Sequence, residues 1–134
     1  MFCNIKTQLD NPAVLRVLAL SVYEQSLARA QQKAQAYLQD DTLQFYGWVK
    51  NGIIFGICGF RLYEDKVEIT HIAVDQTLQR GGIGRAMLNA LRELYPLPLQ
   101  AETDDDAVGF YRHCRFNVIK SDKPGRWACI LEKS

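Results

Sequence analysis

No apolar run in the 134-residue chain approaches the roughly 20 residues that span a bilayer. The N-terminus, Met1-Phe2-Cys3-Asn4-Ile5-Lys6, has no apolar secretory core either. These absences predict a cytoplasmic protein with no membrane partner. Charge of one sign is also missing. Sixteen Lys and Arg face 15 Asp and Glu for a formal charge of +1, so no general attraction to nucleic acid is expected and any basic site must be local. The four cysteines, Cys3, Cys58, Cys114 and Cys129, form no C-x-x-C pair and have no His-ligand spacing. That argues against a zinc site and fits reduced thiols. Repeats, low-complexity tracts and linkers are lacking as well, and the length suits one domain over residues 1–134.

What is present centres on Val67 to Arg85, V-E-I-T-H-I-A-V-D-Q-T-L-Q-R-G-G-I-G-R. Val67, Ile69, Ile72 and Val74 make a β-branched strand, and Asp75-Gln76-Thr77 break it. Gly81, Gly82 and Gly84 follow, at the start of a helical pattern. Backbone without side chains can approach a ligand closely, and a helix start offers free N–H groups and the positive end of its dipole. This combination suits a phosphate. A Walker loop is excluded because Gly84 is followed by Arg85 and Ala86 rather than Lys and Ser or Thr. A dinucleotide fingerprint from Gly82 fits poorly, because Met87 stands where Gly or Ala is needed and seven residues separate Val74 from Gly82.

Around this stretch, Phe2 to Gln8 can form a first strand. Asn11 can cap a helix with Pro12 in its first position, and the apolar pattern continues to Leu38 as one helix or as two joined near Ser21. Strands over Thr42–Lys50 and Ile53–Tyr63 flank Asn51-Gly52, a strong hairpin signal. After the glycines, Ile83, Met87, Leu88, Leu91 and Leu94 share a helix face that Pro96 ends. Leu97–Glu102 reads as a strand, Ala107 to about Cys114 as a helix, and Phe116–Lys120 with Trp127–Glu132 as a last strand pair. The expected architecture is α/β (α+β), a mixed, mainly antiparallel sheet flanked by helices in the order β-α-α-β-β-β-α-β-α-β-β.

Two segments carry a family resemblance. Gln79-Arg80-Gly81-Gly82-Ile83-Gly84 resembles the acyl-coenzyme A loop of the GNAT superfamily of N-acyltransferases, Gln/Arg-x-x-Gly-x-Gly/Ala. Downstream, Asp104 to Phe116 resembles its Asn-x-x-Ala-x-x-Phe-Tyr-x-x-x-Gly-Phe segment. There are two departures. Asp104 replaces Asn, which puts a side-chain amide contact to the pantetheine arm in doubt, and Arg115 replaces Gly, which predicts an altered helix end.

The resemblance implies acetyl-CoA as co-substrate and a primary amine of a small molecule or protein as acceptor. A homodimer is its expected assembly. The pantetheine arm would lie along Ile72, Ala73 and Val74, with the pyrophosphate on Gln79, Arg80, Gly81, Gly82, Ile83, Gly84 and Arg85. Asp104, Phe110 and Tyr111 would face the arm. Tyr111 takes the position of the general acid, since a phenol with pKa near 10 is protonated at neutral pH and can supply the departing thiolate. Taken without the family, Tyr111 reads as a core aromatic. Glu68 takes the position of the base that deprotonates the amine, and otherwise reads as a solvent-facing strand residue. The acceptor site would draw on the Pro12–Leu38 segment, with Tyr23, Tyr46 and Trp48 as contacts. An acyl-CoA-binding module with little turnover is the alternative, and a nucleotide-binding domain the third reading.

His71 has the opposite parity to Glu68 in a regular strand, so it is expected on the other face as a structural residue. His113 near a helix end suits the dipole, and Asp104-Asp105-Asp106 suits a helix start, so no metal is predicted.

Overall fold

The computed structural model describes residues 1–79 and 81–133. Seven strands, β1 Phe2–Asn4, β2 Leu43–Lys50, β3 Ile53–Leu62, β4 Val67–Val74, β5 Leu99–Asp104, β6 Asn117–Lys120 and β7 Arg126–Leu131, form one sheet in the order β1-β2-β3-β4-β5-β7-β6. Only β4 and β5 run parallel. The helices α1 Pro12–Ala19, α2 Leu27–Gln39, α3 Ile83–Leu94 and α4 Val108–His113 complete the expected mixed architecture.

The first strand is shorter than its apolar residues suggest. Asn4 Oδ1 accepts from Lys6 N at 2.9 Å, a local bond that competes with the ladder, and Lys6–Gln8 coil into a 3₁₀ turn. The Pro12–Leu38 pattern resolves into two helices. Asn11 caps α1, accepting from Ala13 N at 2.9 Å, and Ser26 caps α2, accepting from Arg29 N at 3.2 Å. Between them Glu24 and Gln25 take φ of 56° and 50°, which no continuous helix permits. The Asn51-Gly52 turn has φ of 53° and 75°, the left-handed pair that joins twisted antiparallel strands directly.

The sheet has a core on each face. Val14, Leu18, Ala34, Tyr37, Phe45 and Ile57 pack beneath α1 and α2. Phe60, Ile69, Met87, Leu91, Tyr111 and Phe116 pack beneath α3 and α4.

Arg115 does not alter the end of α4. Phe116 N donates to Tyr111 O and Arg115 N to Arg112 O, both at 3.0 Å, the paired bonds that close a helix on a left-handed residue. Arg115 holds that place with φ of 70°. A residue with a Cβ is strained there by ~1 kcal/mol relative to Gly. Arg115→Gly is therefore expected to raise the melting temperature by roughly 3 °C in thermal denaturation. An unchanged or lower value would mean that the arginine side chain offsets its backbone strain.

Candidate active site

The sheet is held open at one place. Strand β5 pairs with β7 along its whole length, Leu99 to Asp104, but with β4 only at Val67, Glu68 and Ile69. From Thr70 to Val74, β4 runs on without a partner on its β5 side. The divergence starts at a bulge. Gly59 of β3 pairs with His71 and Phe60 with Ile69, leaving Thr70 as the extra residue. Such a bulge bends a strand and increases its twist.

The bulge is pinned from α2. Tyr37, 2% exposed, hydrogen-bonds through Oη to Thr70 Oγ1 and, at 2.6 Å, to His71 Nδ1. Its phenol has a single proton, so one of the two contacts must run toward it. The ring tip occupies the space that a side chain on Gly59 would fill. A glycine inside a strand is thus what lets the tyrosine reach the bulge.

The extra residue also reverses strand parity. Residues paired across antiparallel strands share a face, so Glu68 with Arg61, His71 with Gly59, and Ala73 with Ile57 all point toward α2. Ile69, Ile72 and Val74 pack on the α3 side instead. His71 therefore lies on the same face as Glu68, contrary to the regular alternation. Burial, with the charge of Lys33 adding to it, lowers the His71 pKa to about 4.

A cavity of about 600 Å³ opens on this face between α2 and strands β3, β4, β5 and β7. Glu68, Thr70 and His71 line it, with Lys33 and Tyr37 from α2. Ile69, Ala101 and Cys129 also line it although they belong to the core beneath α3 and α4. These three lie where β4, β5 and β7 are still paired, next to the point at which β4 and β5 part. On the α3 side Tyr111 is buried against the rings of Phe110 and Phe116. Desolvation, with the thiols of Cys58, Cys129 and Cys114 adding to it, raises the Tyr111 pKa above the ordinary phenol range. The group remains a proton donor across the physiological range.

The glycine loop ends at the start of α3. Gly82 takes φ of 78°, and among the described residues nothing lies within reach of a Cβ there and no side chain caps the helix. Ala86 N makes the first bond back, to Gly82 O at 2.9 Å, so the amides of Ile83, Gly84 and Arg85 precede the intrahelical ladder. Gly84 has a packing reason of its own. A Cβ there would lie 2.9 Å from the Phe110 ring, so its absence lets α4 close against α3. The exposed Gln79 side chain folds back and donates through Nε2 to Val74 O at 3.2 Å. Arg85 lies on the first turn of α3 and lines a smaller cleft with Arg92 and Arg115. Arg80 lies outside the described residues.

Asp104 Oδ1 accepts from Ala107 N at 2.9 Å, holding the turn into α4. The carboxylate serves the local backbone and has no N–H to donate. Tyr46 and Trp48 pack against the core on the α3 side, and Tyr23 is 69% exposed beside Arg29. None of the three lines the cavity. Its aromatic wall is Tyr37, whose only signal in the sequence was a place in the helical stripe. Among the described residues no group of three or more His, Cys, Asp or Glu is placed to hold a metal ion, and no helix is long and apolar enough to cross a membrane.

The depressed His71 pKa makes stability depend on pH. The unfolded chain protonates this imidazole near 6.5 and the folded chain near 4, so the unfolded state binds more protons between those values. Stability is present above that window and is lost as pH falls through it, by up to about 3 kcal/mol for this group. Denaturant titrations of wild type and His71→Gln at pH 7 and pH 4.5 are expected to show a clearly smaller loss in the variant. Equal losses would place the titration elsewhere.

The chain is similar to known proteins in sequence and in fold. The model of the Acetyltransferase (GNAT) family matches residues 11–116. An uncharacterised N-acetyltransferase of the lysA 3′ region of Bacillus methanolicus is 32% identical over 81 residues, which cover 60% of this chain and 68% of that protein. The fold is similar to that of an acetyltransferase from Thermus thermophilus, with a TM-score of 0.80, 16% identity and coverage of 98% and 96% of the two chains. It is also similar to PaiA N-acetyltransferase from Thermoplasma acidophilum in complex with coenzyme A, with a TM-score of 0.74, 13% identity and 98% of each chain covered.

Proposed function

The chain belongs to the GNAT acetyltransferase family, and from that premise we propose that it moves an acetyl group from acetyl-CoA directly to a primary amine seated in the cavity beneath α2. The observation that carries this reading is the gap between β4 and β5, which leaves β4 beyond Ile69 without a strand partner between the face that holds the cavity and the face that holds Tyr111. The residues present fit coenzyme A. The β4 backbone from Ile72 to Val74 has no strand partner on its β5 side and, apart from Val74 O, which Gln79 holds, suits the amides of a pantetheine arm. Gly82 and the free amides of α3 suit a pyrophosphate. Acetyl-CoA supplies an acyl carbon already activated by a thiol leaving group.

Glu68 faces the cavity and has no salt-bridge partner among the described residues. It takes one proton from the incoming ammonium, leaving a neutral amine able to attack. The C–N bond forms as the C–S bond breaks. Tyr111 gives its proton to the departing sulfur and recovers one from the nitrogen, which has lost two in all. The proton held by Glu68 passes to solvent. The buried phenol is suited to this step because desolvation keeps it protonated until a thiolate develops beside it.

Release of free thiol from acetyl-CoA across an amine panel tests the reading. Tyr111→Phe and Glu68→Gln are each expected to lower kcat by about a hundredfold or more, with CoA binding retained. Unchanged turnover would remove the proposed role of that residue. Tight CoA binding with no transfer to any amine would instead favour a binding module.

Gly82→Val tests the phosphate cradle separately. A β-branched side chain at φ of 78° is strained and projects into the open side of the loop. Calorimetry should show CoA and dephospho-CoA affinity falling by about tenfold or more, with pantetheine, which lacks the pyrophosphate, unaffected. Equal loss for pantetheine in a folded variant would contradict the cradle.

A further inference from the structure

The cavity beneath α2 has a charge pattern that acyl transfer alone does not require. Three cations line it, Lys33, Arg61 and Arg126, together with two carboxylates, Glu68 and Glu102. Two of the cations are already partnered. Arg61 Nη2 lies 3.0 Å from Asp40 Oδ2, and Arg126 Nε lies 3.1 Å from Glu102 Oε1. Lys33 and Glu68 have no ion-pair partner among the described residues. Arg61 also keeps its Nε without a hydrogen-bond acceptor.

The two unpaired charges stand on opposite sides of the cavity. Glu68 is on its β4 floor and Lys33 on its α2 wall. Lys33 precedes Tyr37 by four residues on α2, so the two share the helix face that lines the cavity. An acceptor with positive charge alone would satisfy Glu68 and leave the unpaired lysine opposed to its remainder. One with an ammonium at one end and a carboxylate at the other would satisfy both walls. A volume of about 600 Å³ is that of a small-molecule site.

Resting on the transferase reading above, we infer that the acceptor is a small zwitterionic amine of the amino-acid class, with its ammonium at Glu68 and its carboxylate at Lys33. Lys33 then sets specificity rather than taking part in bond making. Polyamines and other polycations are poor acceptors for the same reason, because they bring like charge to Lys33.

The test compares acceptors of matched length that differ in the charge at the far end: γ-aminobutyrate, butylamine and putrescine in one set, lysine and cadaverine in another, alanine and ethylamine in a third. Thiol release from acetyl-CoA by the purified chain gives kcat/KM for each. The expected result is that at least one zwitterion exceeds its matched amine or diamine by about tenfold or more. Lys33→Glu should reverse that order in favour of the diamine. Its melting temperature should not change, because Lys33 is exposed and unpaired among the described residues. A diamine or plain amine used as well as every matched zwitterion overturns the inference while leaving the transferase reading intact, and so does an order that Lys33→Glu leaves unchanged. No thiol release with any amine, from folded protein that binds CoA, overturns the transferase reading and this inference with it.

Discussion

Two strands that begin as partners cannot both satisfy their backbones once one of them bends away, and the site is built on that conflict. β5 is committed to β7 along all six of its residues, whereas β4 leaves it after Ile69. The bend comes from Thr70 standing as an extra residue, and Tyr37 holds it there through bonds to Thr70 and His71. Tyr37 reaches that point only because Gly59 has no side chain. The result is a stretch of β4 with backbone groups unpaired inside a folded sheet, a state that disfavours the empty protein and favours an extended ligand with amides of its own.

The gap also separates two chemical environments. On the α3 side Tyr111 sits among apolar rings and thiols, where loss of charge solvation holds it in the neutral form. On the α2 side the wall is ionic, and Glu68, Lys33, Arg61 and Arg126 line the open cavity. The proposed transfer calls for a proton donor to sulfur and an acceptor from nitrogen in opposite surroundings, and the two faces of the sheet differ in that sense. His71 belongs to the second face but stays uncharged, so it supports the bulge without adding to the field at Glu68.

Features that rest on local chemistry were legible in the sequence. Asn11 with Pro12, Asn51 with Gly52, and the glycines at the start of α3 each act through their own backbone, and each takes the conformation that its residue type favours. The order of elements followed from apolar periodicity. The faces of β4 beyond Ile69 could not be read that way, because one extra residue reverses alternation and the cause lies on α2, more than a strand away in sequence. Gly59 was the available clue, since a lone glycine within a strand marks a bulge or a close approach. Arg115 misleads in the opposite sense. Its residue type argues against a left-handed helix end, yet the bonds of Phe116 and Arg115 to Tyr111 and Arg112, with the burial of Phe116, impose that geometry. The acceptor wall was hidden because Lys33, Arg61 and Arg126 come from three separate elements and read singly as solvated surface charges.

The central claim is that the open edge of β4 is where coenzyme A lies, and backbone amide hydrogen exchange with and without CoA tests it most directly. Added protection is expected at Ile72 to Val74 and at Ile83 to Arg85, with little change in β1 and β6 at the two edges of the sheet. Protection confined to other elements, with exchange along β4 and the first turn of α3 unaltered at saturating CoA, would contradict the account.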